Sequence, residues 1–168
     1  MGILPERLEL DSRLTDLCRV WPWTEAWASA HGLAEQTRFA LHLCMEEALA
    51  NVVLHGYQNQ PGHPVVIRCS MEGGWLVFAI EDEAPPFTPV DPDLALPADN
   101  ADDLELMEPG GNGIRLLHRF AGSLKYERLP RGNRLTIGFP LSPPELTIHS
   151  TSLDSSENPV EREISWKE

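Results

Sequence analysis

The chain has 168 residues, near the usual size of one domain, and 42% hydrophobic content, enough for one sizeable core. Its formal charge of −13 repels a phosphate backbone, and no cluster of Lys and Arg with interleaved aromatics offsets that, so direct nucleic-acid binding is not expected. No stretch approaches the length of a membrane-spanning helix, and the start MGILPERLEL has neither a basic leader nor an apolar run; the expectation is a soluble, cytoplasmic protein with no membrane attachment. Cys18, Cys44 and Cys69 are odd in number, widely spaced and without a CxxC pair, a usage that suits reduced core thiols.

Along the chain, Arg7 to Leu10 alternates polar and apolar and reads as a short first strand, ending at Asp11-Ser12. Leu14, Leu17, Cys18 and Trp21 then recur at helical spacing. Pro22 is expected to kink or break that helix, and Trp23, Trp27 and Ala30 restart the pattern until His31-Gly32 ends it. The three tryptophans of this stretch are expected in the core, with an exposed aromatic surface for a partner as the other reading. Glu35 to His55 is the strongest helix, apolar around most of its circumference and therefore largely buried, with Gly56 as its stop.

Val65 to Met71 and Trp75 to Asp82 read as strands joined at Glu72-Gly73-Gly74 in a hairpin. From Ala84 to Gly110 the character changes: six prolines, many Asp and Glu, and no Lys or Arg, a composition that predicts a long loop. Ile114 to Ala121 then reads as a helix, Ser123 to Arg128 as a strand, Arg131-Gly132-Asn133 as a turn and Leu135 to Phe139 as the last strand. The division expected is a domain over 1–141 and an acidic, Ser- and Pro-rich tail over 142–168, mostly unstructured, with Ile164 and Trp166 able to dock back. Strands paired by hairpins, with helices gathered in other segments, predict an α+β, two-layer sandwich: one mixed, mainly antiparallel sheet with helices on one face.

Four constellations could carry chemistry. Spacing by four places Glu47, Asn51 and His55 in one stripe on an otherwise apolar helix. A carboxylate and an amide oxygen one turn apart can polarise a hydroxyl and ligate a hard cation such as Mg²⁺, although an internally satisfied network uses the same residues. Asp82 arrives as a buried strand gives way to Glu83-Ala84-Pro85-Pro86; such an Asp can accept from an exocyclic amine or can simply make a turn. Gly110-Gly111-Asn112-Gly113 runs straight into a helix, where close-approaching backbone and the first helical N–H groups favour an anion. It is neither a Walker loop nor a dinucleotide fingerprint. Lastly, Gly132-Asn133-Arg134-Leu135-Thr136 offers a hydroxyl from the final strand, or only a turn.

Taken in order and spacing, EEALANVVLHGY, EDEAPPFTP, GGNGIRLLHRFAGSLKYE and GNRLTI resemble the nucleotide-binding boxes of the GHKL ATPases, the Bergerat or histidine-kinase-like ATPase fold, and in particular the small anti-sigma factor serine/threonine protein kinases. The resemblance runs from about Glu6 to Leu141. It implies ATP and Mg²⁺ as cofactors, with Glu47 as general base on the attacking hydroxyl, Asn51 as the residue holding Mg²⁺, and Asp82 on the adenine amine. Gly110, Gly111 and Gly113 would close over the phosphates, and Thr136 would support the adenine end. It implies as partners a small antagonist (anti-anti-sigma) protein, phosphorylated on Ser or Thr, a sigma factor held in alternation, and a possible second copy of the chain. Two departures stand out: Ala84 occupies a position where the family usually has Gly, and the nearest cation after the glycine turn is Arg115. The alternative is a regulatory module of the same fold that acts by contact, with no phosphoryl transfer.

Overall fold

The computed structural model describes residues 4–86 and 113–141. Five strands, β1 (Arg7–Asp11), β2 (Pro64–Glu72), β3 (Trp75–Asp82), β4 (Ser123–Leu129) and β5 (Gly132–Pro140), form one sheet in the order β1-β2-β3-β5-β4. All four pairings are antiparallel, so the expected mixture is in fact a wholly antiparallel sheet among the described residues. The β2–β3 hairpin closes where Glu72 pairs with Trp75. Gly73 and Gly74 between them both have positive φ, which a two-residue hairpin turn matched to strand twist requires.

Strand periodicity sorts the sheet into two faces. β3 alternates half-buried and buried residues along its whole length, and Leu76, Phe78 and Ile80 turn inward with Val65, Ile67 and Cys69 of β2 and Leu135, Ile137 and Phe139 of β5. The outer face carries the polar set. Arg134 bonds Glu81 and Glu127 there, while Arg7 pairs with Glu9. Such exposed pairs contribute at most about 1 kcal/mol each, so the sheet's adhesion comes from its apolar face.

Three helices cover that face. A 3₁₀ turn (Leu14–Arg19) leads into α1 (Val20–Ala30), followed by α2 (Glu35–Asn51) and, after the region outside the described residues, α3 (Gly113–Phe120). Pro22 neither breaks nor kinks α1, because it falls in the first turn, where a missing N–H costs nothing. The change of helix type falls earlier, between Arg19 and Val20. Trp23 and Trp27 are buried and their indole N–H groups both donate to the Pro5 carbonyl, whereas Trp21 is 58% exposed and stacks on His42. Cys44 and Cys69 are core thiols, the former pushed up to about 12 by burial; Cys18 is exposed.

α2 is the spine of the helical layer. Leu41, Cys44, Met45, Ala48 and Leu49 are buried in the core, whereas Phe39, apolar and on the same largely buried helix, is exposed and meets Phe120 of α3 edge-on. The helix ends in a π-turn over Val52–Gly56, with Tyr57 N–H donating to the Val52 carbonyl and Asn59 N–H to that of Val53. No helix among the described residues is long and apolar enough to cross a membrane.

Phe78 is the hub between layers, fully buried and edge-on to both Trp23 and Phe139. Phe78→Ala is expected to lower the unfolding free energy by about 3–5 kcal/mol in a urea titration. A loss under about 1 kcal/mol would contradict this packing.

Candidate active site

Two polar clusters lie on the helix-covered side of the sheet, one on α2 and one at the end of β3. On α2, Glu47 and Asn51 project one turn apart from a helix otherwise occupied with the core, and both are half-buried. α3 crosses this point with its first residue. A Cβ on Gly113 would lie 2.6 Å from Glu47 Oε2 and 3.2 Å from Asn51 Nδ2, so the first residue of α3 rests directly on the ends of these two side chains, and a side chain at 113 would have to displace the Glu47 carboxylate. Asn51 Nδ2 is buried and finds no hydrogen-bond partner among the described residues. An orphaned donor at a helix N-terminus needs an acceptor from outside, and a phosphate or another anion meets that need.

Burial, with the neighbouring Glu46 charge adding to it, raises the Glu47 carboxyl above the usual carboxylate range. A carboxylate so shifted is a better proton acceptor than an exposed one. His55, expected on the same stripe, lies in the π-turn beyond the end of α2 and is exposed, whereas Glu47 and Asn51 are half-buried.

The second cluster centres on Asp82, the buried last residue of β3. Its Oδ1 accepts from the Ala84 N–H at 2.9 Å and from Asn133 Nδ2 at 2.7 Å. Burial nevertheless keeps the carboxyl above its ordinary value, against those two donors and the charge of Arg128. The end of the π-turn carries the chain that follows β3. A Cβ on Gly56 would approach the Ala84 Cβ to 3.0 Å, and the Tyr57 hydroxyl accepts from the Glu83 N–H at 2.7 Å while donating to the Pro64 carbonyl. Ala84, in place of the glycine usual in the family, is thus packed into a slot that Gly56 leaves open. The helix that bears Glu47 and Asn51 at one point holds the Asp82 turn at another.

Of the remaining sequence-derived candidates, Gly110 and Gly111 lie outside the described residues. Thr136 is a correction. It pairs with Ala79 on one side and Lys125 on the other, three residues from Asn133, and strand alternation therefore turns it to the outer face, away from Asp82. Asn133 occupies the place assigned to it. Gly-Asn in sequence predicts a turn at this residue, but β5 begins at Gly132 and the turn is Pro130-Arg131. The signal lay in the inward phase of Leu135, Ile137 and Phe139, which extends back in steps of two to Asn133 and excludes Thr136. A separate groove of about 440 Å³, lined by Leu17, Trp21, His42, Met45 and Leu49, opens on another face of α2 and contains none of these residues.

A buried carboxylate at a strand end, a helix N-terminus over a carboxylate and an amide, and one helix linking the two, on a five-stranded antiparallel sheet, fit the histidine kinase-like ATPase class. The chain belongs to that family, whose match spans residues 10–139. Over 139 residues it is also 33% identical to the serine/threonine-protein kinase BtrW of Bordetella bronchiseptica, an alignment covering 82% of this chain and 94% of that protein. ATP binding follows from that membership.

The close approach of α3 to Glu47 can be checked without a ligand. Gly→Ala in a helix normally gains up to about 1 kcal/mol. Here the Gly113→Ala side chain must displace the Glu47 carboxylate, so in denaturant titration the gain is expected to be smaller than that and to be recovered in a Glu47→Ala background. An equal effect of Gly113→Ala in both backgrounds would contradict the contact.

Proposed function

We propose that this protein is an ATP-dependent serine/threonine protein kinase that phosphorylates a small antagonist protein and regulates a sigma factor by exchanging partners. The observation that carries the reading is the meeting of Glu47, Asn51 and Gly113 at one point, on the helix that also supports the Asp82 turn. The kinship with a serine/threonine-protein kinase supports the same reaction class.

In this reading Asp82 accepts from the adenine amine, which fixes the nucleotide at the β3 end and directs its phosphates toward α3. The first N–H groups of α3 receive phosphate oxygens, with Arg115 as the cation carried in that helix's first turns. The Asn51 side chain, with its unpartnered Nδ2, fits a phosphate-bound Mg²⁺ site: the amide oxygen is a hard ligand and the amide nitrogen donates to phosphate. When bound, Mg²⁺ neutralises charge developing on the transferred phosphoryl group. Glu47 orients the acceptor hydroxyl and takes its proton, a role that its raised pKa suits at neutral pH. Gly110 and Gly111 would complete the enclosure of the phosphates. A homodimer is compatible with the exposed edge of β1.

A second reading, a nucleotide-binding regulator that acts by contact alone, draws support from the sequence over 84–110, which brings no Lys or Arg to the phosphates. Glu47→Gln separates the two. In the kinase reading it retains Mg²⁺-ATP affinity within about threefold, whereas phosphorylation of the antagonist falls by roughly 10²–10⁴. Transfer at the wild-type rate in Glu47→Gln would remove Glu47 as the base. Absence of transfer from the wild-type protein to any antagonist, with ATP still bound, would favour the contact-only reading.

A further inference from the structure

The Asp82 turn is held by a directed chain of donors that begins on the outermost described strand. Arg128 of β4 donates from NH1 to Asn133 Oδ1 at 2.8 Å and to the Ala84 carbonyl at 3.1 Å. Tyr126 donates its hydroxyl to the same Asn133 oxygen at 2.7 Å. Asn133 Nδ2 in turn donates to Asp82 Oδ1, with the Ala84 and Pro85 carbonyls as longer partners. Both Asn133 and Asp82 are under 10% exposed, so water competes little for these bonds.

An asparagine amide can sit either way round, and here Arg128 decides. A guanidinium carries donors and no acceptor. Flipping Asn133 would set its N–H₂ against the Arg128 donors and its oxygen against the Asp82 carboxylate, two repulsive contacts in a buried site. Arg128 thereby forces Asn133 to present N–H to Asp82. Both hydrogen bonds that the Asp82 side chain accepts among the described residues end on Oδ1, and none of them ends on Oδ2.

We propose that Arg128 is a positioning residue for base recognition: through Asn133 it fixes the Asp82 carboxylate so that Oδ2 accepts an exocyclic amine, selecting adenine over guanine, which carries a carbonyl at that position. The inference rests on the nucleotide reading given above and extends it to a residue with no contact to the base. The groups that bear on Asp82 are Arg128 of β4, Tyr126 acting through Asn133, Tyr57 after the π-turn and Glu83 next in the chain. Of these, Arg128 supplies the cation. A protonated Asp82 would offer a donor where the amine needs an acceptor, so acid weakens adenine binding. Removing Arg128 moves that loss to higher pH.

The test is calorimetric titration of the full chain with Mg²⁺-ATP and Mg²⁺-GTP between pH 5 and 8, for wild type, Arg128→Met, Arg128→Lys and, as a control for charge on the same strand, Lys125→Met. Arg128→Met is expected to lose about tenfold in the ATP/GTP affinity ratio, mainly through weaker ATP, the worth of one charge-assisted hydrogen bond. Its acid-side midpoint for ATP binding should move up, while turnover at saturating ATP stays within about twofold. Arg128→Lys should recover most of the ratio and the midpoint, and Lys125→Met should match wild type. If Arg128→Met does not fold, Arg128→Gln, uncharged and able to present either end of its amide, is read in the same way. A wild-type ratio and midpoint in the neutral variant would overturn the role of Arg128 and leave the nucleotide reading intact. Failure of the wild-type protein to bind ATP would overturn both.

Discussion

A carboxylate taken out of water at the end of a strand costs several kcal/mol unless donors are brought to it, and Asp82 is buried at the end of the sheet's central strand. Much of the surrounding structure follows from meeting that cost. Gly132 opens β5 with φ of 105°, and any side chain there would overlap the Asp82 carbonyl. That close approach delivers Asn133 to the carboxylate. Arg128 and Tyr126 then satisfy the far end of the amide, and the next residue but one, Ala84, closes a bond back to Asp82 while filling the slot beside Gly56. Two strands, a turn and a helix end are fixed by one buried charge.

The same helix carries two jobs at different depths. Its apolar face, from Ala40 to Leu49, is anchored against the inner face of the sheet through the core. Glu47 and Asn51 are what remains when that face is spoken for, and α3 rests on them through Gly113. The π-turn then spaces the helix so that Gly56 and Tyr57, rather than His55, meet the chain after β3. In the proposed reading the geometry links a base-binding end and a phosphate-binding end through rigid elements, the arrangement a phosphoryl-transfer site needs to hold a substrate in line.

The sequence made the strands legible wherever one face was buried, because alternation sets both identity and register. β3 is read from Trp75 to Asp82 without error, and the paired glycines locate its hairpin. Glu47, Asn51 and Asp82 could be singled out because each is polar within an apolar run. Asn133 was hidden by its company: Gly-Asn reads locally as a turn, and only the strand phase set by three later residues turns it inward. Thr136 failed for the complementary reason, since its chemistry suited the site but its phase did not. His42, fully within the helical layer, is buried because Glu25 and Thr24 bond its ring and Trp21 covers it, partners that helical spacing alone does not disclose.

In the proposed function one ligand lies along the line from Asp82 to Glu47, Asn51 and the start of α3. Amide chemical-shift mapping with Mg²⁺-ATP reads that line directly. The account predicts that the largest changes fall at Asp82 to Ala84, at Asn51 and at Gly113 to Arg115, with little change at Leu17, Trp21 and His42 around the separate groove. Changes centred on the groove, with Asp82 and Gly113 unmoved, would contradict it.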